Sequence, residues 1–211
     1  SISFDYRNMG FSEKFNEISS SGRFNDSFAF EASGKIIDFI LVNARYENLK
    51  AILNRKTTNE KSELMNHLFS LKVAYAVTMF KDRLAFSAGI RSFWNNININ
   101  NSQALDTDRD EDYLDSGSKR LGFGAEVEVC VRPIKYSPLV LGGLITYYPF
   151  INSSLQNTGF PESFNGVDYR VSGRYDIFGG FIEAKAGGKY IFSGNYSSNL
   201  AGLSLGVGYG F

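Results

Sequence analysis

One cysteine, one histidine and one tryptophan are all that this 211-residue chain holds of those side chains, and proline occurs only four times. Cys130 on its own excludes an internal disulfide and any multi-cysteine metal site. His67 on its own leaves no histidine-rich metal centre and weakens an ordinary hydrolase triad. Net charge is also missing, since 22 Lys and Arg balance 22 Asp and Glu. No basic field therefore draws nucleic acid to the chain. Nor is there a run of roughly 18 apolar residues, so no membrane-spanning helix is expected.

What the chain has instead is 12 Tyr, 19 Phe and 21 Gly, at a mean hydropathy of only -0.18. Two classes fit that balance: a soluble β-sandwich or barrel, and a transmembrane β-barrel. The final stretch LSLGVGYGF sets Leu203, Leu205, Val207, Tyr209 and Phe211 against Gly202, Ser204, Gly206, Gly208 and Gly210. A period of two is that of a strand, whose successive side chains leave on opposite faces. About ten such segments run through the chain. Near the start, Ile2, Phe4 and Tyr6 oppose Ser3, Asp5 and Arg7; next, Phe24, Phe28, Phe30 and Ala32 share a face. The segment 36–46 is apolar on both faces, and a bulge near Val42 would explain that. Phe69, Leu71, Val73, Tyr75, Val77 and Met79 oppose Ser70, Lys72, Ala74, Ala76 and Thr78. The segment 139–150 is apolar throughout; if it or 36–46 is misread, the count becomes eight or twelve.

Tight hairpin turns are expected at Ser33-Gly34, Lys81-Asp82 and Gly179-Gly180, with a fourth short link from Ile134 to Pro138. Longer polar connections are expected over 11–21, 49–63, 95–118, 152–166 and 193–199. Long and short links thus alternate, which puts both termini on the short-turn rim. Outer-membrane barrels have that arrangement.

Three features favour lipid on the apolar face. The clear segments are about ten residues or longer, and a tilted strand crosses a bilayer in roughly 9 to 11. The polar face mixes Gly, Ala and Ser with charged residues, as a confined lumen requires. Tyr6, Trp94, Tyr147, Phe192, Tyr209 and Phe211 sit near segment ends, in the manner of interfacial aromatic girdles. The tail, with Ser204, Gly206, Tyr209 and Phe211, resembles the C-terminal targeting signal of bacterial outer-membrane β-barrels. The resemblance implies a single all-β domain over 1–211, an antiparallel barrel of about ten strands with short periplasmic turns and long extracellular loops. It also implies insertion by the outer-membrane assembly machinery, contact with the lipid bilayer and lipopolysaccharide, and periplasmic termini.

The inward parity carries the basic residues Arg7, Arg23, Lys72, Arg91, Arg132, Arg170, Arg174, Lys185 and Lys189. It also carries Asp5, Glu31, Asp38, Glu126, Glu128, Asp168, Asp176 and Glu183. Charges in a narrow barrel must be paired or hydrated. A turn at Gly179-Gly180 would set Arg174 opposite Lys185 and Arg170 opposite Lys189, giving either a strip that favours anions or cations answered from across the lumen. His67 has no Asp two residues away, unlike the dyad of the ten-strand outer-membrane proteases, and Ser70 lies on the opposite face from it. The acidic stretch 106–115 lacks the spacing and Gly of a calcium loop. No metal, cofactor or catalytic residue is therefore expected. The leading expectation is a narrow or gated pore for small, anionic solutes. The alternatives are a loop-presenting anchor, adhesin or partner-binding barrel with a salt-bridged lumen, and, third, a rim-located lipid A or peptide hydrolase.

Overall fold

The computed structural model describes residues 1–15, 18–54, 61–101, 118–153, 163–194 and 196–210. Ten strands appear: β1 (Ile2–Phe15), β2 (Ile18–Ile37), β3 (Ile40–Asn54), β4 (Lys61–Met79), β5 (Leu84–Asn101), β6 (Ser118–Val131), β7 (Leu139–Ser153), β8 (Ser163–Ile177), β9 (Gly180–Ser193) and β10 (Tyr196–Tyr209). Each pairs antiparallel with the next, and β1 pairs with β10 from Ile2↔Tyr209 to Phe15↔Tyr196, closing the barrel. Closure leaves no unpaired sheet edge, which a bilayer would not tolerate.

The two-residue alternation becomes an inside and an outside. Leu203, Leu205, Val207 and Tyr209 are exposed on the outer wall, while Ser204 is buried and Gly206 faces Asp5. The same holds for Val73 and Tyr75 against Lys72 and Ala74. The inward glycines make room for neighbouring side chains. A Cβ on Gly206 would overlap the Asp5 carboxylate, and one on Gly122 would overlap the Phe93 ring.

The strands outrun the expected segments. β2, β4 and β5 have 20, 19 and 18 residues, about twice what crossing a bilayer requires. Much of what reads as polar loop is paired strand, as at Phe15↔Ile18, Asn54↔Lys61, Asn152↔Ser163 and Ser193↔Tyr196. Backbone pairing persists there, while the apolar alternation fades because both faces leave the lipid.

Three short turns also differ from expectation. Ser33 and Gly34 pair with Asn43 and Val42 inside the ladder, and the β2–β3 turn is at 38–39. Asp38 is consequently an exposed turn residue and not a lumenal one. The irregularity in this hairpin lies between Lys35 and Ile37, and Val42 is in register. The β4–β5 turn takes four residues, 80–83, with positive φ at Phe80, Lys81 and Asp82. The β8–β9 turn is Phe178-Gly179, one residue earlier than expected, and both residues have positive φ as a type I′ hairpin requires. Each of the four short links carries an exposed aromatic: Phe39, Phe80, Tyr136 and Phe178.

Two bulges reverse a parity: in β7 Tyr148 and Ile151 both face inward while Phe150 is exposed, and a second lies in β2. Phe28 lies opposite Asn48 and Asn25 opposite Lys50, so two residues of β2 face the single Leu49 and the strand carries one extra residue. Above it, Phe24 turns inward and is 3% exposed, while Arg23 is on the outside instead of in the lumen.

Candidate lumenal site

The lumen is stratified. At the short-turn rim an open vestibule of ≈ 290 Å³ is lined by Arg132, Arg174, Glu183, Glu128 and Cys130, among others. Above it lies a belt of ion pairs. Above the belt is a smaller cavity of ≈ 70 Å³, and beyond that the lumen is packed with apolar side chains.

The belt has two knots. In the first, Glu126 is 1% exposed and accepts from Arg91 through both carboxylate oxygens. Lys72 Nζ lies 2.8 Å from its Oε1, and the Thr146 hydroxyl donates to it at 2.8 Å. Lys72 also reaches Glu128 at 2.6 Å and donates to Ser87 at 3.1 Å. Arg91 donates to Ser70 at 3.1 Å. The second knot centres on Arg45, which donates to Glu31 at 2.8 Å and to Glu47 at 2.6 Å. Arg7 pairs with Glu47, and Asn43 donates to Glu31. Lys185 reaches across to Asp5 and along its own strand to Glu183, both at 2.9 Å, and Arg170 approaches Glu31 at 3.6 Å. Every charge in these knots touches one of opposite sign, which is the arrangement a desolvated site demands.

Nearer the turns, Asp176 takes Arg174 at 2.9 Å and Arg132 at 3.3 Å, with all three side chains about a third exposed. The four-cation strip does not form. With the turn at Phe178-Gly179, Arg174 stands opposite Glu183, Asp168 opposite Lys189, Ser172 opposite Lys185 and Arg170 opposite Gly187. Arg45 and Glu47 escaped the sequence reading, because the misplaced Ser33-Gly34 turn obscured which face of β3 looks inward. The alternation Asn43, Arg45, Glu47 was the signal that would have found them.

The apolar layers cap the cavity. One joins Leu68, Phe93, Tyr148, Ile151, Phe164, Ile191 and Tyr196; another joins Met9, Phe24, Leu49, Ala51 and Leu64. Tyr148, Ile151 and Leu49 are 0% exposed. His67 faces outward, where its Nδ1 lies 2.9 Å from the Tyr46 hydroxyl, while Ser70 is buried on the lumenal side. Among the described residues no carboxylate contacts His67. Ser204, Gly206 and Tyr209 of the tail occupy β10, whereas Phe211 and the acidic stretch 106–115 lie outside the described residues.

A closed ten-strand barrel, apolar outside and charged within, has the architecture of outer-membrane β-barrels. No family model matches the sequence, and no curated protein does. Among solved structures, the chain is similar to the transport unit of the autotransporter AIDA-I from Escherichia coli. The TM-score is 0.51 at 10% identity, over 100% of this chain and 90% of that one; at that identity the likeness is one of fold alone. An outer membrane channel from Pseudomonas putida F1 matches at TM-score 0.47 and 11% identity, over 98% and 94% of the two chains. The translocator domain of the autotransporter NalP from Neisseria meningitidis matches at 0.43 and 10%, over 100% and 88%.

Proposed function

We propose that this protein is a non-enzymatic outer-membrane barrel, closed at rest, that anchors and displays its long strands β2, β4 and β5 for interaction with a partner. The carrying observation is the filled lumen: an ion-paired belt occupies it together with two apolar clusters, one from β1–β4 and one from β4–β10. In this reading the short turns and both termini face the periplasm, and the long-strand rim faces outward, where lipopolysaccharide surrounds it. The lumenal charges then serve as a structural network.

A second reading, a gated pore, has one observation in its favour. Arg170 and Lys185 line both the vestibule and the upper cavity, so these side chains are a shared partition. Displacing them would join the two spaces.

Planar-bilayer conductance of the refolded protein separates the readings. The anchor reading expects silence from the wild type, and from a variant with Arg170, Arg174, Lys185 and Lys189 all changed to Gln. Steady wild-type conductance would refute it. Silence in the wild type with conductance in the variant would establish the gated pore.

A further inference from the structure

The cavity above the ion belt has an uneven wall. Six basic residues line it: Arg7, Arg45, Arg91, Arg170, Lys185 and Lys189. Only two carboxylates do, Glu47 and Asp168. The other acids that answer these cations, Asp5, Glu31, Glu126 and Glu183, touch them from outside the cavity lining. Cations therefore outnumber acids on the cavity wall itself, although the lumen as a whole is nearly balanced.

Lys189 is the distinctive member. Its ammonium lies 3.6 Å from the centre of the Phe93 ring and 5.0 Å from that of Tyr148. No carboxylate lies within 4.0 Å of it among the described residues, although Asp168 is its cross-strand partner. Lys189 is half-buried; ring faces attract its ammonium, but they do not supply a counter-ion. On the same wall, the buried Nε of Arg7 has no hydrogen-bond partner. The lining thus offers one cation without a carboxylate in contact, Lys189, and one unsatisfied N–H on Arg7, whose charge Glu47 answers.

We propose that this cavity binds a small inorganic anion of halide size, with Lys189 as its principal contact. The size follows from the space. A volume of ≈ 70 Å³ accommodates on the order of five water positions. That suits chloride or bromide and is too small for a nucleotide or sugar phosphate. Asp168 opposes the anion and thereby weakens its binding. The site does not depend on whether the barrel conducts.

Thermal unfolding of the full chain in zwitterionic detergent tests this, with chloride replacing gluconate at constant ionic strength. Gluconate is too large for the cavity. The wild type should gain stability saturably with chloride, as a ligand that binds only the folded state requires. In Lys189→Gln the half-saturating chloride concentration should rise roughly tenfold, the loss of one charged hydrogen bond. In Asp168→Asn it should fall severalfold, and in Lys135→Gln, altered in an exposed turn, it should stay put. A bromide-soaked crystal should give an anomalous peak beside Lys189. If Asp168 is instead the true partner of Lys189 through water, Asp168→Asn will be destabilised without any gain in chloride affinity, which overturns the proposal. Equal stability of the wild type in chloride and gluconate overturns it too. Should Lys189→Gln fail to fold, Asp168→Asn decides alone.

Discussion

Replacing Glu126 with Gln tests whether the lumen is dry at the belt. Glu126 is 1% exposed and gathers Lys72, Arg91 and Thr146. Removing one partner of a buried pair costs about 3 to 5 kcal/mol, because the other charge is left behind. Two charges are left here, but neither is abandoned. Lys72 retains Glu128 at 2.6 Å and Ser87 at 3.1 Å, and Arg91 retains Ser70 at 3.1 Å. Gln also keeps one oxygen as an acceptor. The loss should therefore fall at the low end, about 3 kcal/mol. Asp176→Asn is the comparison, since Asp176 and its arginines are about a third exposed; there the loss should stay below about 1 kcal/mol. Urea unfolding of the barrel refolded into lipid vesicles measures both. The lone Trp94, 45% exposed on the outer wall, reports passage from lipid to water. If Glu126→Gln costs no more than Asp176→Asn, the belt charges are hydrated, and the argument for a closed lumen fails with them.

Two further outcomes follow from the wall. Gly122→Ala should destabilise by about 2 kcal/mol, since its Cβ would meet the Phe93 ring, which is itself 2% exposed and packed against Tyr148. Gly143→Ala, where the added Cβ meets nothing within 4 Å, should be neutral in the same unfolding measurement. Val171→Arg, at a position 61% exposed on the outer face, should cost about 2 to 4 kcal/mol in vesicles if it sits near the bilayer midplane; a neutral result there would place that face outside lipid.

What the sequence made legible, and what it hid, has a geometric explanation. Side-chain parity is written residue by residue: Lys72 between Leu71 and Val73, or Ser204 between Leu203 and Leu205, can be assigned without knowing where any turn falls. The strand count and the inside of most strands followed from that; the exceptions are β3 and β7, apolar on both faces, and the bulges of β2 at Arg23 and Phe24 and of β7 at Phe150 and Ile151, where an extra residue leaves no mark in the alternation. Register is different. Moving the β8–β9 turn from Gly179-Gly180 to Phe178-Gly179 keeps every inward residue inward, yet slides each strand two residues past its partner. Arg174 exchanges Lys185 for Glu183, and Lys189 exchanges Arg170 for Asp168. A repulsive strip thereby becomes two cross-strand juxtapositions of opposite sign at no cost to the apolar wall, with Arg174 making its ion pair to Asp176 and Glu183 to Lys185. Since parity is satisfied by both turns, it falls to electrostatics to choose between them: like charges opposite one another in a confined lumen are penalised, and opposite ones are favoured. The charged face of this barrel therefore helps to set the register that its greasy face leaves open.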